Sequence, residues 1–147
     1  MRYFAYGSNM SKRRMETRGI RFSKREHAIL EGWNLLFNKI SSNDSEGFAN
    51  IIKEKGKRVE GIIYDIKDSD IFKLDKYEGY PEHYKRKKIK VRLDNGDYVN
   101  SITYIANIEK VVQGLKPSKR YIEYLLEGCD LLSKEYCEFL KNQETLD

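Results

Sequence analysis

The chain has 147 residues, enough to bury a core as one domain over 1–147 and too few for two large ones. Hydrophobic residues make up 39% and recur along the whole length, with eleven tyrosines among the residues, which excludes a disordered chain. The formal net charge of +5 favours anionic partners, a class that holds both nucleic acid and small acidic metabolites, and charge alone does not separate them.

No run of about 18 apolar residues occurs, so no membrane-spanning helix is expected. The N-terminus enters a strand pattern directly, without a signal peptide, and the chain reads as cytoplasmic. Cys129 and Cys137 are therefore expected as reduced thiols. The histidines and cysteines are scattered, give no metal-ligand spacing, and point to no metal and no cofactor.

In chain order, residues 2–6 read as a strand broken by the Gly7-Ser8-Asn9 turn. Residues 11–18 follow as a short helix opened by Ser11. Apolar runs at 27–30 and 35–40 are separated by Gly32 and Trp33; a polar loop covers 41–46, and strand-like runs lie at 48–53 and 59–66. A helix begins at Asp68 or Ser69, carries Ile71, Leu74 and Glu78 on one face, and stops at Gly79 and Pro81. A hairpin comes next, its strands at 84–93 and 97–106 joined at Asn95-Gly96, where both residues tolerate positive φ. Pro117 sits just inside a helix with Tyr121, Ile122, Leu125 and Leu126 on its apolar face, closed by Gly128. A last helix from Ser133 presents Tyr136, Phe139 and Leu140. This order predicts an α+β fold with a largely antiparallel sheet.

Glu78 is the carboxylate that stands out. It shares the inward face of its helix with Ile71 and Leu74, and it lies at the C-terminal end, where the macrodipole disfavours negative charge. Burial and dipole both push its pKa upward, toward proton exchange near neutrality. The plainer alternative is a glutamate frayed into solvent, or paired with Lys76 or Arg86. The turn Tyr6-Gly7-Ser8-Asn9 can present successive backbone N–H groups to an anion or oxyanion, with Ser8 and Asn9 adding side-chain donors; its plainer alternative is an ordinary strand-ending turn. It lacks the nucleophile-elbow pattern of serine hydrolases, and no base is evident beside either cysteine. The basic runs at 12–14 and 85–88 read as solvated edges rather than as a nucleic-acid surface, because no aromatics interleave with them. His27 reads as a sheet residue and His83 as a loop residue.

Two of these segments, in this order, resemble one family. Tyr3-Phe4-Ala5-Tyr6-Gly7-Ser8-Asn9-Met10 is similar to the first strand and substrate loop of the γ-glutamylcyclotransferases, and Leu74-Asp75-Lys76-Tyr77-Glu78-Gly79 to their second motif. Tyr84 and its strand fit the segment after that motif, and Pro117-Ser118-Lys119-Arg120-Tyr121 resembles a later helix start. The middle strands, 30–66, match only in pattern.

The resemblance implies a small mixed, largely antiparallel β-barrel with surrounding helices and a cavity at its mouth. It also implies conversion of a γ-glutamyl amide, amine or peptide to 5-oxoproline and a free amine, without metal or cofactor. Glu78 would be the general acid/base, the loop Tyr6 to Asn9 would hold the substrate, and Tyr121 would line the pocket. Segments 41–46 and 107–116 are expected to choose the leaving amine. A non-catalytic module of the same fold, binding an anionic small molecule or RNA, is the competing expectation.

Overall fold

The computed structural model describes residues 1–147. β1 (Arg2–Ala5) buries Tyr3, Phe4 and Ala5 and pairs antiparallel with the end of β3 (Gly47–Ile66), from Arg2↔Asp65 to Ala5↔Ile62. β2 (Phe22–Ile40) runs antiparallel to β3 along almost its whole length. The sequence pattern divides each of these strands into two. They stay continuous because the chain bends at Gly32 and Gly56, with φ of +81° and +85°, instead of stopping there. The register skips between Glu31↔Arg58 and Trp33↔Lys53, so these glycines serve a bulge that lets a long ribbon curl into a barrel.

β4 (Tyr84–Leu93) and β5 (Tyr98–Ala106) form the expected hairpin, with Gly96 at φ +92° in its turn. The sheet closes in the order β1-β3-β2-β4-β5. β1 and β5 meet in parallel at Tyr3↔Ile102 and every other pairing is antiparallel, as the α+β barrel expectation required. Phe4, Val59, Ile62, Tyr64 and Val91 are fully buried, within the barrel or under the helices that cover it.

Four helices surround the barrel: α1 (Lys12–Thr17), α2 (Ile71–Glu78), α3 (Lys119–Leu126) and α4 (Lys134–Lys141). Ser11, Ser118 and Ser133 cap three of them, each side chain accepting the N–H of the residue three further on. Since Ser118 is the cap, Pro117 lies just outside α3 rather than inside it. Phe139 faces solvent, because α4 packs through Tyr136, Cys137 and Leu140 instead. The expected reduced thiols are joined: Cys129 and Cys137 form a disulfide. The turn after Gly128 and the first turn of α4 bring their Cα atoms to 5.9 Å, a separation a disulfide spans. No helix is long and apolar enough to cross a membrane.

Candidate active site at the mouth of the barrel

β1 delivers Tyr6 and Gly7 to the barrel's mouth, where a 3-10 turn, Ser8–Met10, reverses the chain. Gly7 N–H has no acceptor within the chain. Ser8 and Asn9 open the 3-10 turn, where N–H groups lack partners inside it. Gly7 has φ −114°, outside the left-handed region, and the space beside it is tight. A Cβ there would stand 3.1 Å from the Tyr121 hydroxyl oxygen and 3.3 Å from Ala49 Cβ.

α2 presents Glu78 from its last residue, with Ile71 and Leu74 buried beneath and Gly79 ending the helix at φ +67°. Asn9, 2% exposed, ties the two segments together. Its Nδ2 donates to Glu78 Oε1 at 3.2 Å and to the Tyr3 hydroxyl at 3.0 Å, and its Oδ1 accepts from Arg18 Nη1 at 2.9 Å. Neither Lys76 nor Arg86 pairs with Glu78; Arg86 is engaged by Asp75, which also accepts the Tyr104 hydroxyl. From α3, the Tyr121 hydroxyl accepts the Ala49 N–H at 3.0 Å, and its ring stacks on Phe48 at 5.0 Å.

Tyr6, Gly7, Ser8, Asn9, Glu78 and Tyr121, the six residues singled out in the sequence, thus line one inner chamber of about 40 Å³. It adjoins a wider cleft of about 500 Å³ that shares Ser8, Glu78, Tyr84 and Tyr121 with it. Burial raises the Glu78 pKa above the ordinary carboxylate value, against the pull of Arg18, Arg14 and Lys39. Burial also holds the Tyr3 and Tyr6 phenols well above their usual range, with the charge of Glu78 adding to it. Tyr84 and Tyr121 are raised by burial too, so all four are neutral hydroxyls at physiological pH. A proton-exchanging carboxylate, neutral phenols and free backbone donors can together move a proton and stabilise an oxyanion without a covalent intermediate.

Sequence reasoning missed several residues around this chamber. Tyr3 and Tyr84 read as strand aromatics, yet Tyr3 bonds Asn9 and Tyr84 donates to Ala49 O at 2.8 Å. Arg14 belongs to a run read as solvated; Lys12 is exposed as expected and Arg13 pairs with Glu127, but Arg14 turns to the cleft and donates to Ser8 Oγ at 3.2 Å. The one-turn spacing of Arg14 and Arg18 behind the Gly-Ser-Asn turn was the available signal. Lys39, near the end of β2, carried none. Of the two loops expected to choose the leaving amine, 41–46 borders the cleft through Ser42 and Glu46. Segment 107–116 contributes no residue to its lining: after a 3-10 turn at Ile108–Lys110, a bridge from Val111 to Lys39 pairs it alongside the end of β2.

A sequence model described as Gamma-glutamyl cyclotransferase, AIG2-like, matches residues 3–123. The chain is 31% identical over 147 residues to Gamma-glutamylcyclotransferase of Mus musculus, covering 95% of this chain and 76% of the mouse protein. It is 29% identical over 153 residues to that of Homo sapiens, covering 99% and 79%. A solved structure titled Gamma-glutamyl cyclotransferase superposes with a TM-score of 0.87 at 27% identity, covering 99% of this chain and 89% of its own.

Proposed function

The chain belongs to the γ-glutamyl cyclotransferase, AIG2-like family, and from that premise we propose that it cleaves a γ-glutamyl amide or peptide to 5-oxoproline and a free amine. The observation that carries this reading is the meeting of Glu78, Asn9 and the unpartnered Gly7 N–H in one chamber. The substrate's own α-amine is the nucleophile and attacks the γ-carbonyl. A C–N bond closes the five-membered lactam as the amide C–N bond to the leaving amine breaks. Because both reacting groups belong to one molecule, the protein has to fold and hold the substrate more than supply a nucleophile.

Glu78 takes the proton that the attacking amine loses and returns it to the leaving nitrogen. Its raised pKa suits both halves of that exchange, and Asn9 fixes the carboxylate's direction. The N–H groups of Gly7, Ser8 and Asn9 receive the developing oxyanion. Tyr6 and Tyr121, as neutral phenols, close the chamber around the glutamyl chain.

Glu78→Gln keeps size and hydrogen bonding and removes proton exchange, so turnover should fall by roughly 10²–10⁴. The assay is 5-oxoproline release, by mass, from a panel of γ-glutamyl dipeptides, γ-glutamyl alkylamines and ε-(γ-glutamyl)lysine. Acetylating the substrate's α-amine should abolish release. A Glu78→Gln protein that cyclises at the parent rate refutes the mechanism. The competing reading, a non-catalytic binder of anions or RNA, draws on the basic cleft but gives no use to an inward carboxylate. A blank panel with tight RNA binding at physiological salt would favour it.

A further inference from the structure

Arg14, Arg18, Lys39, Lys76 and Arg120 line the outer cleft, against only Glu46 and Glu78. None of these five cations has a carboxylate within 4.0 Å, although ion pairs occur elsewhere on the molecule, at Arg13, Arg21, Arg25, Arg86 and Arg92 among others. Lys39 is the most telling of them. It is 4% exposed, and its ammonium donates to His83 Nδ1 at 2.9 Å and stands 5.5 Å from the ring centre of Tyr84. A buried ammonium left with a neutral acceptor and aromatic faces is an arrangement that an incoming anion completes.

We infer that the leaving amine of this protein's substrate is an acidic amino acid, so that the substrate class is γ-glutamyl-glutamate and like dipeptides. The inference rests on the cyclotransferase reading above. With Glu78 and the loop donors occupied by the reacting centre, Lys39 is free to take the carboxylate on the α-carbon of the leaving amine. Arg14 and Arg120, on the same cleft, are left for the second, side-chain carboxylate; Arg14 is half-buried and held over the Tyr124 ring at 4.2 Å, whereas Arg120 is exposed. A γ-glutamyl alkylamine brings only the glutamyl α-carboxylate, which answers one of these five cations and leaves the others without an anion. Burial and the nearby Lys110 already depress the Lys39 pKa, a cost that an approaching carboxylate removes.

The test compares kcat/KM for γ-glutamyl-glutamate, γ-glutamyl-glutamine and γ-glutamyl-butylamine on the intact protein. The first two differ by one charge at nearly constant shape, and the third lacks both carboxylates of the leaving amine while keeping the glutamyl α-carboxylate common to all three. γ-Glutamyl-glutamate should be favoured over the glutamine analogue by roughly 3–10-fold at low salt, shrinking as ionic strength rises. The glutamine analogue should exceed the butylamine by at least about 10-fold, because the Lys39 pair forms away from water. Arg120→Gln, on an exposed residue, should bring the first ratio toward one, and Lys39→Met should do the same to the second. Release of 5-oxoproline from all three substrates with ratios near one overturns the acidic leaving group and leaves the cyclotransferase reading standing. No release from any of them overturns the acidic leaving group, and the cyclotransferase reading falls with it only if the wider panel of γ-glutamyl dipeptides and ε-(γ-glutamyl)lysine is blank as well. A preference for γ-glutamyl-glutamate that survives Arg120→Gln and 0.5 M salt (roughly a 4 Å Debye length) also overturns it.

Discussion

Replacing Gly7 by alanine tests whether the loop and α3 form one cradle. The new Cβ meets the Tyr121 hydroxyl oxygen at 3.1 Å and Ala49 Cβ at 3.3 Å, where ordinary contacts begin near 3.4 Å. Since φ is −114°, the change adds no left-handed strain, and crowding is the cost that a change at Tyr121 can relieve. Crowding of a few tenths of an ångström against a ring wedged on Phe48 should cost about 1–2 kcal/mol, or a Tm loss of roughly 3–6 °C. The same push displaces Gly7 N–H and the Tyr121 hydroxyl, and should lower kcat/KM by on the order of 10–100-fold. Tyr121→Phe removes the atom at 3.1 Å and leaves the Ala49 N–H without its acceptor, which costs about 1–3 kcal/mol alone. Combining the two changes relieves the clash, so the double variant should be more stable than the sum of the singles by about 1 kcal/mol. Thermal melts and kinetics on the four proteins of this cycle read the result. Additivity within about 0.3 kcal/mol, or a neutral Gly7→Ala, would refute the shared cradle.

Glu78→Gln should also change the pH dependence of stability. A raised folded pKa means the folded chain binds more protons than the unfolded one between the ordinary value of 4.5 and the raised one, so parent stability falls as pH rises through that window. The glutamine variant should therefore be more stable than the parent at neutral pH and equal to it below that window; equal melting temperatures throughout would contradict the assignment. A second titrating cluster fixes α4 to the barrel. There Glu60 accepts His27 Nε2–H at 2.8 Å, the Ser133 hydroxyl at 2.6 Å and the Ser133 N–H at 3.0 Å. Burial opposes the Glu60 charge, but the bonds from His27 and Ser133 outweigh it and hold its pKa at about 2; the bond to Glu60, with help from Asp94, raises His27 above 6.5 despite burial. Stability from this cluster is therefore complete between the unfolded values of 4.5 and 6.5 and is lost as pH rises through the raised His27 value or falls through about 2. His27→Gln should remove the alkaline part of that loss, seen as a flatter Tm profile from pH 6 to 9; in the parent the loss amounts to about 1.4 kcal/mol for each tenfold gain in proton affinity that folding gives the imidazole. Identical slopes would refute it. Chelator treatment should leave 5-oxoproline release unchanged, since no group of ligating side chains converges; reactivation of a chelated sample by zinc would count against that.

Local chemistry made much of this protein legible in sequence. The Gly7-Ser8-Asn9 turn, the Ser11 cap, the Asn95-Gly96 hairpin and the stop at Gly79 are each set by conformational preferences of a few adjacent residues, and they lie where those preferences put them. The inward direction of Glu78 followed from helical spacing in the same way. What sequence alone left undecided depends on partners distant along the chain. Gly32 read as a separator, and the stretch holding Gly56 as a gap between two runs, because glycine ends strands and also bulges them, and only the opposing strand selects between the two. Arg14, Arg18 and Lys39 read as ordinary surface or strand cations; barrel closure carries them to one cleft without a carboxylate within reach, whereas Arg13 and Arg86 found theirs. The pairing of Cys129 with Cys137 likewise came from a turn that folds α4 back, where compartment reasoning had predicted thiols. Periodicity and turn chemistry act over a few residues, so they determine elements and the faces those elements present. Which charges end up paired, and which stay open to a ligand, is settled only when β1, β2, α1, α2 and α3 converge on one chamber.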